Sequence, residues 1–152
     1  MKLLTIQGVL LGLVVGAALG IGAYTFAYAK GWSYLTDDPA ACANCHIMRQ
    51  EFDGWLKSSH RAVATCNSCH TPAGFIGKYK TKATNGFWHS FYFTTGLYED
   101  NIQIKPHSLE IVEQSCRKCH NEIVDAIEGG HAAPKSEQLE CLRCHKSVGH
   151  LQ

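Results

Sequence analysis

The sequence has no cysteine to spare. It holds eight, and all of them fall in four copies of Cys-x-x-Cys-His, at Cys42–His46, Cys66–His70, Cys116–His120 and Cys141–His145. Four disulfides, a pair of zinc ribbons or a redox dithiol would each leave the histidine after every pair without a role. The chain also has little net charge. Its 14 Lys and Arg against 13 Asp and Glu leave +1, so nothing points to nucleic acid. Between Leu3 and Ala29 there is no charged residue at all, and Thr5, Gln7 and Thr25 are the only clearly polar ones. Length is short as well. Of 152 residues, roughly 120 follow that apolar run, too few to enclose a large core of side chains around four prosthetic groups. No Cys-x-x-Cys-Lys occurs.

What is present is the attachment signature of c-type haem, four times over. In that chemistry the thiols of Cys42, Cys45, Cys66, Cys69, Cys116, Cys119, Cys141 and Cys144 add across porphyrin vinyl groups, and the adjacent histidine can serve as an axial ligand. The macrocycles then supply much of the buried apolar surface, so the apo-chain should be largely unfolded. Two propionates on each haem make the loaded protein more acidic than the residue count. Such haems are attached outside the bacterial cytoplasmic membrane, which makes this domain periplasmic.

The run from Leu3 to Ala29 is long enough to span a bilayer. A cleaved signal peptide is the alternative, because Ala27-Tyr28-Ala29 resembles a cleavage site. A signal's apolar region is only about 7–15 residues long, however. Tyr24, Phe26, Tyr28, Trp32 and Tyr34 also form an interfacial belt. The expectation is a retained single-pass anchor in the cytoplasmic membrane with its N-terminus inside, over residues 1–31, followed by a haem domain over 32–152. Gly8, Gly12, Gly16 and Gly20 form one smooth stripe on that helix, suited to packing against a second copy.

The fold expected is mainly α, with little side-chain core. Asp37-Asp38-Pro39 signals a turn in the short connector from Gly31 to Ala41, which keeps the first haem near the bilayer. Cys42 to Arg61 reads as helix, with Phe52, Trp55 and Leu56 against haem. Gly74 to Leu97 is aromatic. Phe75, Tyr79, Ala83, Phe87 and Phe91 recur every fourth residue, while Lys78, Lys82, Asn85 and His89 lie along another side. Two readings stand for this stretch. One is an amphipathic helix packed on haem. The other is a quinol pocket in which Lys82 and His89, two turns apart, share the removal of protons from the quinol hydroxyls. Asn121 to Glu128 reads as a helix stopped by Gly129-Gly130, with His131 in a loop and a further helix from Pro134 and Ser136.

Four six-coordinate haems need eight axial ligands. The motifs offer His46, His70, His120 and His145, and the far sides can draw on Met48, His60, His89, His107, His131 and His150. His150 follows His145 too closely to reach around the same haem, so as a ligand it must serve a neighbouring one.

The block Ser33–Met48, Ser58-Ser59-His60, the Lys82–His89 stretch and Cys144–His150 together resemble the NapC/NirT family of membrane-anchored multihaem quinol dehydrogenases. The resemblance runs over nearly the whole chain. It implies that Met48 rather than His46 ligates the first haem, with menaquinol bound beside it near Lys82 and residue 89. It implies distal roles for His60 and His150. It also implies that the haem of Cys66–Cys69 takes its far ligand from a lysine of the partner, a pentahaem nitrite reductase subunit that reduces nitrite to ammonium. Some relatives have aspartate where this chain has His89, a residue that can accept a proton or bind iron. The alternatives are the same dehydrogenase serving another reductase, and a soluble tetrahaem carrier. A stand-alone nitrite reductase is disfavoured by the missing Cys-x-x-Cys-Lys.

Overall fold

The computed structural model describes residues 2–99, 102–128 and 139–150. Every regular element among them is helical: α1 (Lys2–Tyr28), α2 (Pro39–Cys42), α3 (Arg49–Leu56), α4 (Cys66–His70), α5 (Phe75–Thr95), α6 (Pro106–Cys119), α7 (Asn121–Glu128) and α8 (Cys141–Cys144). Short 3-10 turns occupy Gly31–Leu35 and His46–Met48. The chain divides into two units, Met1–Ser33 and Tyr34–Gln152.

The first unit is essentially α1. Its segment Thr5–Tyr28 has a mean hydropathy of 2.0 and no buried residues in the window that qualifies it. It is the one described helix long and apolar enough to cross a membrane. At about 1.5 Å per residue α1 runs to roughly 40 Å, longer than a hydrocarbon core of about 30 Å. A Cβ placed on Gly8, Gly12, Gly16 or Gly20 would meet nothing within 4 Å, so the glycine stripe is an open face.

In the second unit the haem-motif helices are short and the two long helices organise them. α6 is the hub, packing against α4, α7 and α8, while α2 meets α3 and α4. Pro106 in its first turn and Arg117 and Lys118 in its last suit a helix of this polarity. α5 is bounded by two glycines in conformations other residues avoid, Gly74 at φ 92° and Gly96 at φ 68°. Gly96 gives the left-handed stop typical of a helix C-terminus.

The expected helix from Cys42 to Arg61 is broken. Cys45 is extended (φ −82°, ψ 120°), and the α-helix resumes only at Arg49. A continuous helix would hold Cys42 and Cys45 on one rigid turn, whereas here a turn and a 3-10 segment carry the motif. It ends at Leu56, where Lys57 and Ser58 turn back onto Gly54 and Trp55 carbonyls. The expectations for Gly129, Gly130, His131, Pro134 and Ser136 lie outside the described residues.

The side-chain core is small. Ile111 and Val112, both on α6, are the only buried apolar side chains among the described residues. Each contributes about 1.5–3 kcal/mol, whereas ordering the backbone costs about 1–2 kcal/mol per residue. Two such residues cannot offset that cost for a unit of this size. The arrangement fits a protein whose apolar interior is supplied by prosthetic groups.

Candidate functional site

α5 presents an unexpected side to the rest of its unit. Of the aromatic repeat, Phe75, Phe87 and Phe91 are left uncovered by other side chains, while Tyr79 is half-buried. The inward side carries Lys78, Lys82, Gly86 and His89, and Lys82 is only 7% exposed. The reason lies in the connector Tyr34–Asp38. Its carbonyls need donors, and α5 supplies them. Lys82 Nζ donates to the Thr36 carbonyl at 2.5 Å and reaches Asp37 Oδ1 at 3.4 Å. Lys78 pairs with the other Asp37 oxygen, and the Tyr79 hydroxyl reaches the Leu35 carbonyl at 3.4 Å. Asn67, inside the second motif, donates to the Thr36 carbonyl at 3.0 Å and to Asp37 Oδ1 at 2.7 Å. Asp38 then caps α2 by accepting from Ala40 N at 2.9 Å, with Pro39 behind it. The Lys78 hydrogen bond holds the Asp37 carboxyl below its usual range against desolvation, with Asn67 and the charges of Lys78 and Lys82 adding to it.

At the other end of this face the Tyr34 hydroxyl and His89 Nδ1 are 2.9 Å apart. Gly86 permits the approach, since a Cβ there would already touch the Tyr34 ring at 3.5 Å. Desolvation, followed by thiolate charge at Cys45 and Cys42, pushes the Tyr34 phenol up to about 12, so Tyr34 stays protonated and sits beside the first motif. His89 retains solvent access, yet desolvation by its neighbours and the charge of Lys105 hold its imidazolium below the ordinary value. His89 is therefore a neutral imidazole at neutral pH. Along the exposed side, Phe87 stacks near Phe91 (6.4 Å, 14°) and Trp88 over Tyr92 (5.6 Å, 27°), forming a pre-arranged aromatic wall.

The motifs form a continuous series. The helix ending at Cys42, α2, packs against α4, which begins at Cys66. Ser115 Oγ, on α6, donates to the Cys69 carbonyl at 3.2 Å. Glu113, also on α6, accepts from the backbone N–H groups of Cys141 and Leu142 at 2.9 Å each. Burial would raise the Glu113 carboxyl, but those two donors outweigh it and hold it below the usual range. Arg117 ties the same region together, donating to Glu128 at 2.9 Å and to the Leu139 carbonyl at 2.6 Å.

The imidazoles meet in twos. The ring centre of His60 lies 6.0 Å from that of His120, and His70 lies 5.9 Å from His150. Two imidazoles on opposite faces of one metal stand about 6 Å apart when each metal–nitrogen bond is about 2 Å. Desolvation and the facing His150 hold His70 below the ordinary imidazole value, in the neutral form a metal needs. His150 Nδ1 is 3.0 Å from the Glu51 carbonyl and 3.2 Å from its carboxylate. His46 packs edge-on against Phe93 at 5.9 Å, with Met48 closing the 3-10 turn. His145 is exposed, and among the described residues no second imidazole stands opposite it. His107 is exposed too and joins neither pair. None of the eight cysteines forms a disulfide. Among the described residues no three His, Cys, Asp or Glu side chains gather around one point, as a zinc ribbon would require.

Free thiols in the attachment motif, facing imidazoles at the spacing of axial ligands and an interior that side chains do not fill all fit haem. Fold and site together define a multihaem electron-transfer protein. A family model described as NapC/NirT cytochrome c family, N-terminal region, matches residues 4–152, and the chain belongs to that family. It is 38% identical to the cytochrome c-type protein NrfH of Wolinella succinogenes, over 90% of this chain and 82% of that one. It is 30% identical to the cytochrome c nitrite reductase subunit NrfH of Nitratidesulfovibrio vulgaris, over 90% and 81%. Its fold is similar to a chain in the crystal structure of the cytochrome c nitrite reductase NrfHA complex bound to the HQNO inhibitor, with a TM-score of 0.63, 29% identity and coverage of 91% and 90%.

Sequence patterns picked out Lys82, His89 and the motif residues but missed Tyr34, Asp37, Asn67, Glu51 and Glu113. Only Asp37 carried a local signal, as part of a turn. The others act across long separations, 55 residues for Tyr34 and His89, and periodicity does not report such contacts.

Proposed function

We propose that this protein oxidises menaquinol and passes the electrons to a periplasmic pentahaem nitrite reductase subunit. It does so as a tetrahaem cytochrome anchored by α1 in the cytoplasmic membrane, with the N-terminus inside and the haem unit in the periplasm. Each of the four haems is joined through the two thiols of its motif, and its iron accepts and donates one electron at a time. The observation that carries this reading is the succession of motifs, with α2 packed on α4, Ser115 of α6 bonded to the Cys69 carbonyl and Glu113 of α6 bonded to the Cys141 backbone. It gives a path from one end of the unit to the other.

Menaquinol oxidation releases two electrons and two protons, so a base must meet the quinol hydroxyl. His89 serves as that base through Nε2 in the tautomer whose Nδ1–H donates to the Tyr34 hydroxyl oxygen. Lys82 acts differently. Its ammonium has donors only and is engaged with Thr36 and Asp37, so it shapes the site by fixing the connector. The exposed aromatic side of α5 offers an apolar quinol its wall.

The facing rings support His60 with His120, and His70 with His150, as axial pairs. His46 turned toward Phe93 supports Met48 as ligand of the first haem. This moves the partner's lysine from the haem of Cys66–Cys69, where the resemblance implied it, to the haem of Cys141–Cys144, whose His145 faces no described imidazole. The open glycine face of α1 supports self-association in the lipid. The second reading, a dehydrogenase serving another periplasmic reductase, draws on 28% identity to the cytochrome c-type protein NapC of Haemophilus influenzae. Reconstituting the detergent-solubilised protein with a menaquinol analogue and nitrite reductase tests the proposal. Quinol-dependent formation of ammonium is expected. Haem reduction by quinol without nitrite turnover would favour the second reading.

A further inference from the structure

We infer that Glu51 is a positioning residue for the second haem, forming a carboxylate–histidine pair with His150 that lowers that haem's reduction potential. The inference rests on the axial pairing of His70 with His150 proposed above.

The argument starts from the two nitrogens of His150. Nδ1 lies 3.0 Å from the Glu51 carbonyl oxygen and 3.2 Å from its carboxylate Oε2. Both are acceptors only, so Nδ1 carries the proton and donates to them. The tautomer is thereby fixed, and Nε2 is left with its lone pair on the ring that faces His70 at 5.9 Å. Glu51 lies in the first turn of α3, ninety-nine positions from His150 in the chain. One residue therefore sets both the orientation and the basicity of the ring. Histidine ligands depend on such outer partners, and a carboxylate behind the imidazole raises its donor strength. A stronger donor favours the ferric state, and second-shell hydrogen bonding is one of the levers a protein has on haem potential.

The other facing pair is an internal control. Among the described residues, His60 Nδ1 meets the Ser59 hydroxyl at a long 3.4 Å and no carboxylate. The two proposed axial pairs differ in this carboxylate contact, and the effect of Glu51 should be confined to the His70–His150 pair.

The test uses full-length holoprotein in detergent. Redox titrations followed by the low-spin electron paramagnetic resonance signals are compared for wild type and Glu51→Gln, a change that keeps size and removes charge. His150→Met identifies which signal belongs to the second haem. In Glu51→Gln that signal is expected to titrate at a higher potential, with all four haems attached and the His60–His120 signal unmoved. An unchanged potential with the bis-histidine signal intact would overturn the role of Glu51 and reduce it to a brace between α3 and the C-terminal segment. If His150→Met alters no signal, the axial pairing itself fails, and the inference fails with it for a distinguishable reason.

Discussion

Lys82 and His89 lie two turns apart on α5, yet their surroundings assign them different work. The neutral His89 ring is the one of the two that can accept a proton. Because its pKa is depressed, the free base is populated from below the ordinary imidazole value of about 6.5. The rate of quinol oxidation should therefore rise with pH along a limb centred below about 6.5 and be flat above it. His89→Leu should cost about 10²-fold in kcat, the usual scale of general-base catalysis, and abolish that limb. A limb that persists in the variant would remove His89 from proton transfer. Lys82→Leu is expected to raise KM for quinol as well as lower kcat, because the Thr36 carbonyl loses one of its two donors, Asn67 remaining, and the connector loosens. Pyridine haemochrome should still count four haems. A pure kcat effect would instead argue for direct contact with the reacting hydroxyl. Both residues were legible from their spacing on a helix. Their division of labour was not, because it depends on Tyr34 and Thr36, which approach from the far side of the first motif.

At the scale of elements, long periodic segments were readable and short ones were not. α1 and α5 fall where an uncharged run and an aromatic repeat place them, and glycines mark both ends of α5. The stretch after Cys42 was misjudged because helix-forming composition from Arg49 onward masks the local demand of the attachment motif. On α5 the contacts of the polar side were not legible. Hydrophobic periodicity assumes that the apolar side turns inward, but the polar side is drawn to the backbone of the connector. The Asp37 clamp on that connector has a pH signature. Its carboxyl is held below the usual range, so the clamp is fully formed above the unfolded carboxylate value of about 3.9 and is lost as pH falls through the lower folded value. Asp37 is half exposed, which limits its contribution to within about 1 kcal/mol. Hydrogen exchange at residues 34–38, referred to the intrinsic rate, which itself falls as pH drops toward about 3, should show an excess in acid. In Asp37→Ala that excess should vanish. Equal pH dependence in both proteins would show that the lysine contacts do not hold the connector.

For the molecule as a whole, the proposed axial pairs bear on where electrons leave. Two pairs of rings account for His60, His70, His120 and His150, and Met48 with His46 attends the first motif. The fourth motif stands apart, with His145 exposed and its attachment helix α8 held to the hub helix through Glu113. A haem held at this motif by His145 with its far side open would be high-spin until a strong-field ligand arrived, and a lysine from a docked subunit would be such a ligand. The isolated protein should therefore show a high-spin component from the fourth haem. Adding the catalytic subunit should convert that component to low spin in proportion to complex formed. His145→Met should alter this component alone, leaving the two bis-histidine signals in place. If the component that changes on docking is instead abolished by His70→Met, the exit lies at the second haem, and the facing of His70 and His150 reflects packing rather than ligation. The two outcomes separate cleanly because His70 and His145 belong to different attachment motifs, one against α6 through Ser115 and the other through Glu113.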